Sequence, residues 1–320
     1  MERTDSKNIV ILGFGRSGTT WIGDIVSKIT GKLILFEPIH PSVMDNSERF
    51  SYSTITDEES SEELKNFYSD VLNKRWRRMW LLRNHVSDRL ENVPTEFLDL
   101  LWKECSIAGF KEIRANFLID WYIKNLNAKI VFIIRHPVAT IASIKGRPNF
   151  WEFGWPGTYE LFLEKTIYND FYKNHVVNNY REVVKRAKTD VERAAVMWGI
   201  THIIALPELE RLGLPLFYYE DFYSYPFPSA RSLFKYLGYG RVDVHPAHLF
   251  TPSMTTLKTV HGIGILEEAL ARKGIAFFWQ DKITAKEVDE IMEVVKSFDI
   301  ILYDKEKLYP IKPAPVAPKG

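Results

Sequence analysis

The segment Asn8-Ile-Val-Ile-Leu-Gly-Phe-Gly-Arg-Ser-Gly-Thr-Thr-Trp21 carries the clearest fold signal in this chain. Its first five residues form a short apolar run typical of a buried strand, and Gly13-Phe14-Gly15 ends that run. From about Gly18 to Gly31, apolar residues recur on one helical face. Glycines let backbone N–H groups turn towards an anion, and a helix N-terminus adds unpaired donors. A strand, a glycine-rich turn and a helix in this order therefore predict an anion cradle of the P-loop type.

Three further apolar runs predict strands at residues 32–36, 129–134 and 214–219. Residues 46–61 are polar and serine-rich, so we expect a loop there, followed by a helix over residues 62–83. Another helix is predicted over residues 138–145. Strands that alternate with helices indicate a parallel sheet. The predicted fold class is α/β, with a P-loop-like central parallel β-sheet, helices on both of its faces, and helical insertions.

The length of 320 residues fits a single domain, which we expect over residues 1–309. Residues 310–320 contain four prolines and no apolar periodicity, and this composition is typical of a flexible tail. Residues 1–7 lack the features of a signal peptide, and no apolar run reaches the roughly 18 residues of a membrane span. The single cysteine, Cys105, excludes an intramolecular disulfide and fits a reducing compartment. We therefore expect a cytoplasmic protein.

The charge balance excludes some classes of partner. The 42 Lys and Arg residues face 41 Asp and Glu residues, a net charge of +1, so no global positive field favours nucleic acid. Any anion site must therefore be built locally. The sequence contains no spaced His, Asp or Glu cluster of the kind that binds a metal.

The glycine-rich turn also has features of two other nucleotide-binding loops. The spacing from Gly13 to Gly18 fits the start of a Walker A loop, but Thr19 stands where that motif needs a lysine. Gly13, Gly15 and Gly18 also match the dinucleotide pattern G-x-G-x-x-G. Against a dinucleotide site, the acidic residue on the second strand, Glu37, is followed by a proline. A tight turn without a ligand is the remaining alternative.

The turn also resembles a known loop. Arg16-Ser-Gly-Thr-Thr-Trp21 is similar to the 5′-phosphosulfate loop of sulfotransferases that use 3′-phosphoadenosine-5′-phosphosulfate (PAPS). Cytosolic members usually have lysine at the first position, whereas carbohydrate and tyrosyl-protein members often have arginine, as here. The resemblance implies that Arg16 contacts the sulfuryl end of the donor. It also implies that the whole loop binds PAPS through Arg16, Ser17, Gly18, Thr19, Thr20 and Trp21.

Three later segments extend the resemblance in the expected order. Arg135-His136-Pro137 with Ser143 resembles the site for the 3′-phosphate of PAPS. Tyr219-Glu220-Asp221-Phe222 is similar to the Tyr-Glu-Asp-Leu segment, whose tyrosine lies near the adenosine. Arg272-Lys273-Gly274 resembles the segment that wraps the 3′-phosphate in cytosolic members, although Phe277 and Phe278 replace its later glycine and aspartate.

The candidate general base follows the second predicted strand. Residues 35–40 resemble the Phe-Glu-Pro segment of carbohydrate sulfotransferases, which implies that Glu37 takes the proton of the acceptor. Burial at a strand end is expected to raise the pKa of Glu37 towards a useful range. His40 is the alternative base. Lys111 matches the lysine of the cytosolic Lys-x-His segment, but Ile113 occupies the histidine position, so the cytosolic mechanism does not transfer unchanged. Lys111 either stabilises the transferring group or forms a structural ion pair.

The resemblance implies a sulfotransferase that moves a sulfuryl group from PAPS to a hydroxyl or an amine by in-line displacement, without a metal. The acceptor is expected to be a small molecule, a lipid or a carbohydrate, and a homodimer is a further expectation. Two alternatives stay open at this point. One is a P-loop nucleotide kinase or ATPase, and the other is a module that binds the product 3′-phosphoadenosine-5′-phosphate (PAP) without catalysis.

Overall fold

A parallel sheet, five-stranded in the described part of the chain, forms the centre of the protein. The computed structural model describes residues 8–41, 43–75, 95–145, 158–169, 178–240, 242–250, 282–305, 307 and 309–311. The sheet order is β2-β3-β1-β4-β5, and every neighbouring pair is parallel. The strands are β1 (Asn8–Leu12), β2 (Leu33–Phe36), β3 (Ile107–Glu112), β4 (Ala128–Ile134) and β5 (Leu216–Tyr218). The predicted α/β class is therefore confirmed.

Helices connect the strands and cover both faces of the sheet. In the described ranges they are α1 (Thr19–Thr30), α2 (Glu58–Leu72), α3 (Thr95–Glu104), α4 (Ile119–Leu126), α5 (Pro137–Lys145), α6 (Thr158–Lys165), α7 (Arg181–Arg186), α8 (Asp190–Arg211), α9 (Tyr219–Ser224), α10 (Pro226–Leu237), α11 (Pro246–Phe250) and α12 (Ala285–Lys296). None of these helices combines the length and the hydropathy needed to cross a bilayer.

The alternation of side chains along β1 divides the core into two parts. Val10 and Leu12 lie in the larger cluster, together with residues of α4, α8 and α12. Ile9 and Ile11 point to the opposite face and pack with residues of α1 and α10. Successive side chains of a strand point to opposite faces of the sheet. Strand β1 is apolar on both faces because helices cover the sheet on both sides. The prediction of helices on both faces is thus confirmed.

Several predicted boundaries differ from the structure. Strand β3 was not predicted, because Gly109, Lys111 and Glu112 interrupt its apolar pattern. Helix α2 begins at Glu58 rather than at residue 62, since Asp57 caps it through a 2.7 Å hydrogen bond from the Ser60 N–H. The helix ends at Leu72, not at residue 83, and the predicted loop contains a 3₁₀ turn, Ser47–Arg49.

The carboxyl ends of the five parallel strands meet at one edge of the sheet. Four of the strands lead directly into a segment that the sequence predicted for the site, namely Gly13–Gly18, Glu37, Arg135 and Tyr219, and the fifth, β3, contains Lys111 near its carboxyl end. Strand β1 lies between β3 and β4, so the chain leaves it at the point where the strand order reverses. Open α/β sheets bind ligands in the crevice outside the carboxyl ends at such a point.

Candidate functional site

The loop after β1 needs glycine at two positions. The Gly13 N–H donates to Asn116 Oδ1 at 2.9 Å, and a Cβ atom on Gly13 would lie 2.4 Å from the Ile133 carbonyl oxygen. Gly18 has a φ of +94°, and a Cβ atom there would lie 2.3 Å from the Tyr219 ring. Moving the Gly13 backbone away would disturb the sheet, and making room at Gly18 would displace the Tyr219 ring. A side chain is therefore excluded at both positions.

Two donor groups of the loop are available to an anion. Helix α1 starts after Gly18 without a side-chain cap, and its first turn contains no acidic residue. Ser17 is fully buried, and among the described residues its Oγ has no hydrogen-bond partner. Buried hydroxyls are normally hydrogen-bonded, and helix N-termini attract negative charge. Both features therefore fit an anion seated on the loop. Thr19 and Thr20 form the first turn of α1, with Thr19 buried.

The structure brings two predicted cationic segments together beside this loop. Arg16 Nε donates to Ser143 Oγ of α5 at 3.1 Å. Arg135 Nη1 donates to the Arg16 carbonyl oxygen at 3.1 Å. The guanidinium carbon of Arg135 lies 4.3 Å from the centroid of the Tyr219 ring, and that ring packs edge-on against Trp21 with centroids 5.5 Å apart. Loops from β1, β4 and β5 therefore build one half-buried cationic surface.

Glu37 occupies the centre of a second, buried charge cluster at the same edge. Its carboxylate pairs with Lys111 Nζ and, at 2.9 Å, with Arg114 Nη1. All three residues are at most 5% exposed. Lys111 Nζ also lies 3.7 Å from the centroid of the Phe36 ring. Glu37 has a φ of 39° and Arg16 a φ of 69°, so both adopt the left-handed conformation that non-glycine residues rarely use. Such strain is found preferentially at functional sites.

The expectation of a raised pKa for Glu37 is wrong. Burial by itself would raise it, but the charges of Lys111 and Arg114 outweigh burial and lower the pKa of Glu37 to about 2. Burial lowers the pKa of Lys111, and Glu37 opposes this shift. His40, the alternative base, is also buried, and its charge acts on Glu37 in the same direction as the two cations. In this arrangement Glu37 is an ionised carboxylate held by two cations.

Two residues that sequence analysis missed support the site. Asn116 holds the first loop through Gly13, as described above. Glu112, at the end of β3, accepts a hydrogen bond from the Ile39 N–H at 2.5 Å and so anchors the turn that carries Glu37 and His40. Burial raises the pKa of Glu112 to about 8, although the Ile39 N–H and both neighbouring cations oppose the shift. Nothing in a single sequence marks either residue, because each acts on a segment far away along the chain.

Glu112 predicts how the stability of the protein depends on pH. Its pKa in the folded state exceeds its ordinary value of 4.5, so its contribution to stability is complete below pH 4.5 and is lost as pH rises through about 8. We expect Glu112→Gln to reduce the loss of unfolding free energy between pH 5 and pH 9 by on the order of a few kcal/mol. Glutamine stays neutral and can still accept from the Ile39 N–H.

Urea unfolding at pH 5 and pH 9 measures this effect. The exposed Glu182, which pairs only with the exposed Lys185 in the described region, provides a matched control as Glu182→Gln. Asp24 and Glu220 also have pKa values raised by burial to about 7, so some pH dependence should persist in Glu112→Gln. An unchanged difference between the two pH values would rule out Glu112 as its main source.

Not every predicted site residue can be placed. Arg272, Lys273 and Gly274 lie outside the described residues, as do residues 146–157 and 312–320. The structure brings together Arg16, Ser143, Arg135, Tyr219 and Trp21 in one group, and Glu37 with Lys111 in the other. Both groups lie at the carboxyl edge of the sheet.

No protein-family model and no curated protein sequence matches the chain. Among solved structures, it is similar to the sulfotransferase domain of the olefin synthase of Synechococcus PCC 7002, with 16% identity and a TM-score of 0.43, covering 95% of this chain and 98% of that one. It is also similar to the sulfotransferase domain from the curacin biosynthetic pathway, with 13% identity and a TM-score of 0.40, covering 92% and 98%. Similarity at this level assigns no activity to the chain.

Proposed function

We propose that this chain is a sulfotransferase that transfers the sulfuryl group of PAPS to a hydroxyl or an amine of a small-molecule, lipid or carbohydrate acceptor. The proposal rests on one observation: two arginines lie side by side next to the glycine-rich loop, at the N-terminus of a helix that has no side-chain cap. The Arg16 side chain donates a hydrogen bond to Ser143, and the Arg135 side chain donates one to the Arg16 carbonyl oxygen. The two guanidinium groups come from the ends of adjacent strands, which suits a donor with phosphate groups at both its 3′ and 5′ ends.

The residues divide between the two ends of such a donor. In this proposal the loop N–H groups, Ser17 and Arg16 bind the end where the sulfuryl group leaves a phosphate, and positive charge there stabilises the leaving group. Arg16 would exchange its hydrogen bond to Ser143 Oγ for the donor. Arg135 and Ser143 supply a guanidinium and a hydroxyl for the 3′-phosphate. The ring of Tyr219, already packed on Trp21 and under Arg135, offers an apolar surface for the adenosine.

The cluster around Glu37 supplies the proton chemistry. PAPS brings a sulfuryl group and a phosphate leaving group. The acceptor oxygen or nitrogen forms a bond to sulfur, the bridging S–O bond breaks with its electron pair going to the phosphate, and Glu37 takes the acceptor proton. Two cations make Glu37 a weak base, so its basicity must rise during the reaction. Movement of Lys111 from Glu37 towards the sulfuryl oxygens would have that effect, while Arg114 keeps the carboxylate in place.

The same residues disfavour ATP as the donor. A Walker A loop uses a lysine after its last glycine to reach the β- and γ-phosphates, and Thr19 occupies that position here. The loop is instead rich in hydroxyl groups, and the second cation, Arg135, lies at the end of another strand. Sulfuryl transfer without a metal suits this distribution of charge better than phosphoryl transfer with Mg²⁺.

The proposal is tested by incubating the purified chain with ³⁵S-labelled PAPS and a panel of sugars, lipids, phenols and amines. We expect labelled product with at least one acceptor class and formation of PAP in equal amount. A parallel incubation with ATP and Mg²⁺ should give no hydrolysis. ATP hydrolysis together with a complete lack of sulfuryl transfer would favour a nucleotide kinase or ATPase instead.

A further inference from the structure

A buried carboxylate connects the donor site with the C-terminal part of the chain. Glu220, the second residue of α9, is 7% exposed. Its Oε1 accepts a hydrogen bond from the His136 N–H at 2.8 Å, and its Oε2 accepts one from the Tyr303 hydroxyl at 3.1 Å. Glu220 thus joins three segments that are far apart in sequence: the end of β4, the start of α9 and residues 303–304.

The backbone group that Glu220 holds belongs to the peptide immediately after Arg135. The Arg135 guanidinium is stacked on the ring of Tyr219, which is the residue immediately before Glu220. One dipeptide, Tyr219-Glu220, therefore contacts both the side chain of Arg135 and the peptide that follows it. One contact holds the guanidinium of Arg135 and the other holds the peptide bond that follows this residue. Together they restrict the orientation of the Arg135 side chain.

His136 is fixed from the C-terminal side as well. Its Nε2 is 3.1 Å from the Asp304 carbonyl oxygen, and its Nδ1 is 3.2 Å from the Val138 N. A carbonyl only accepts and an amide N–H only donates, so Nε2 carries the proton and Nδ1 accepts. Burial lowers the pKa of His136 to about 4, which keeps the ring neutral and this tautomer in place. The His136 and Tyr303 rings also pack edge-on, with centroids 5.0 Å apart.

Burying this carboxyl has an energetic cost. Burial raises the pKa of Glu220 to about 7 against the opposing hydrogen bond from His136. The charge of Arg135 also opposes that rise in pKa, so the carboxylate interacts with this cation as well as with its two hydrogen-bond donors. Glu220 aligns the His136 N–H group, which is next to Arg135 in the chain. Supporting contacts of this kind control the orientation of binding residues.

We propose that Glu220 is a positioning residue of the donor site: with Tyr303 it fixes the turn that carries Arg135, and thereby sets the affinity for the 3′-phosphate of the nucleotide. This inference rests on the proposed function, because it takes Arg135 as the ligand of that phosphate. It adds the C-terminal residues Tyr303 and Asp304 to the elements on which nucleotide binding depends.

Calorimetric titrations with PAP and with adenosine 5′-monophosphate, which lacks the 3′-phosphate, separate this role from a general loss of structure. We expect Glu220→Ala to weaken PAP binding about tenfold and to leave binding of the monophosphate unchanged. Glu220→Gln, which can still accept from the His136 N–H, should bind PAP within about twofold of wild type. Glu182→Ala is the exposed control and should change neither affinity.

A double-mutant cycle adds a second readout. If Glu220 acts through Arg135, Glu220→Ala should cost no further PAP affinity once Arg135→Ala is present. Should Glu220→Ala fail to fold, Tyr303→Phe removes one contact of the carboxylate and is expected to weaken PAP selectively by a few-fold. Equal losses for both nucleotides, or additive losses in the cycle, would overturn the inference. Wild-type protein that binds no PAP would overturn the proposed function, and the inference with it.

Discussion

Arg135→Ala is expected to weaken the binding of PAP by about 50-fold. A hydrogen bond from a charged donor to a phosphate contributes roughly 1.5–3 kcal/mol, and Arg135 is the cation placed for the 3′-phosphate. The guanidinium is half-buried and already oriented by the Arg16 carbonyl and the Tyr219 ring, so little ordering cost accompanies binding. Calorimetry with PAP measures the effect directly.

The control for this variant is another arginine at the protein surface. Arg211, an exposed residue at the end of α8, pairs with Glu208 and Asp120, and Arg211→Ala should leave PAP affinity unchanged. Adenosine 5′-monophosphate should bind wild type and Arg135→Ala alike, since it lacks the 3′-phosphate. PAP affinity in Arg135→Ala within twofold of wild type would exclude Arg135 as its phosphate ligand.

Glu37→Gln is expected to have two large effects. It should lower the rate of sulfuryl transfer by about 10²- to 10⁴-fold, because the group that takes the acceptor proton is lost. It should also lower the unfolding free energy by about 3–5 kcal/mol, since Lys111 and Arg114 would then be buried beside a neutral group. Single-turnover rates with labelled PAPS measure the first effect and urea unfolding the second.

The pH dependence of stability gives a further check on Glu37. Its pKa is lowered to about 2, so its contribution is complete above pH 4.5 and is lost as pH falls towards 2. Glu37→Gln should therefore remove part of the acid sensitivity seen in wild type. Glu182→Gln again serves as the exposed control. A Glu37→Gln protein that transfers sulfuryl groups at the wild-type rate would assign the proton transfer to another residue, with His40 the next to test.

The strand and helix around the first loop were predictable because the signal there is local. Strand β1 has the predicted bounds, and α1 begins at Thr19, one residue from the predicted start. Strand β3 was missed for a physical reason: Lys111 and Glu112 are charged residues that the site requires inside a buried strand. Local patterns fail where function places charges in the core.

The electrostatics of Glu37 depended on contacts that a sequence does not display. Lys111 and Arg114 lie 74 and 77 residues away along the chain, and only the pairing of β2 with β3 brings them to Glu37. The motif predicted the residue but gave the wrong direction for its pKa. In the same way, the roles of Glu112 and Glu220 follow from which backbone N–H each carboxylate reaches across the sheet edge.

Titration of the folded protein with PAP is the direct test of the proposed nucleotide site. A nucleotide that binds the folded state raises the melting temperature by mass action. We expect one PAP to bind per chain, with a higher melting temperature at saturating PAP and no comparable effect of ATP with Mg²⁺. A well-folded sample that shows neither heat of binding nor a thermal shift with PAP would contradict it.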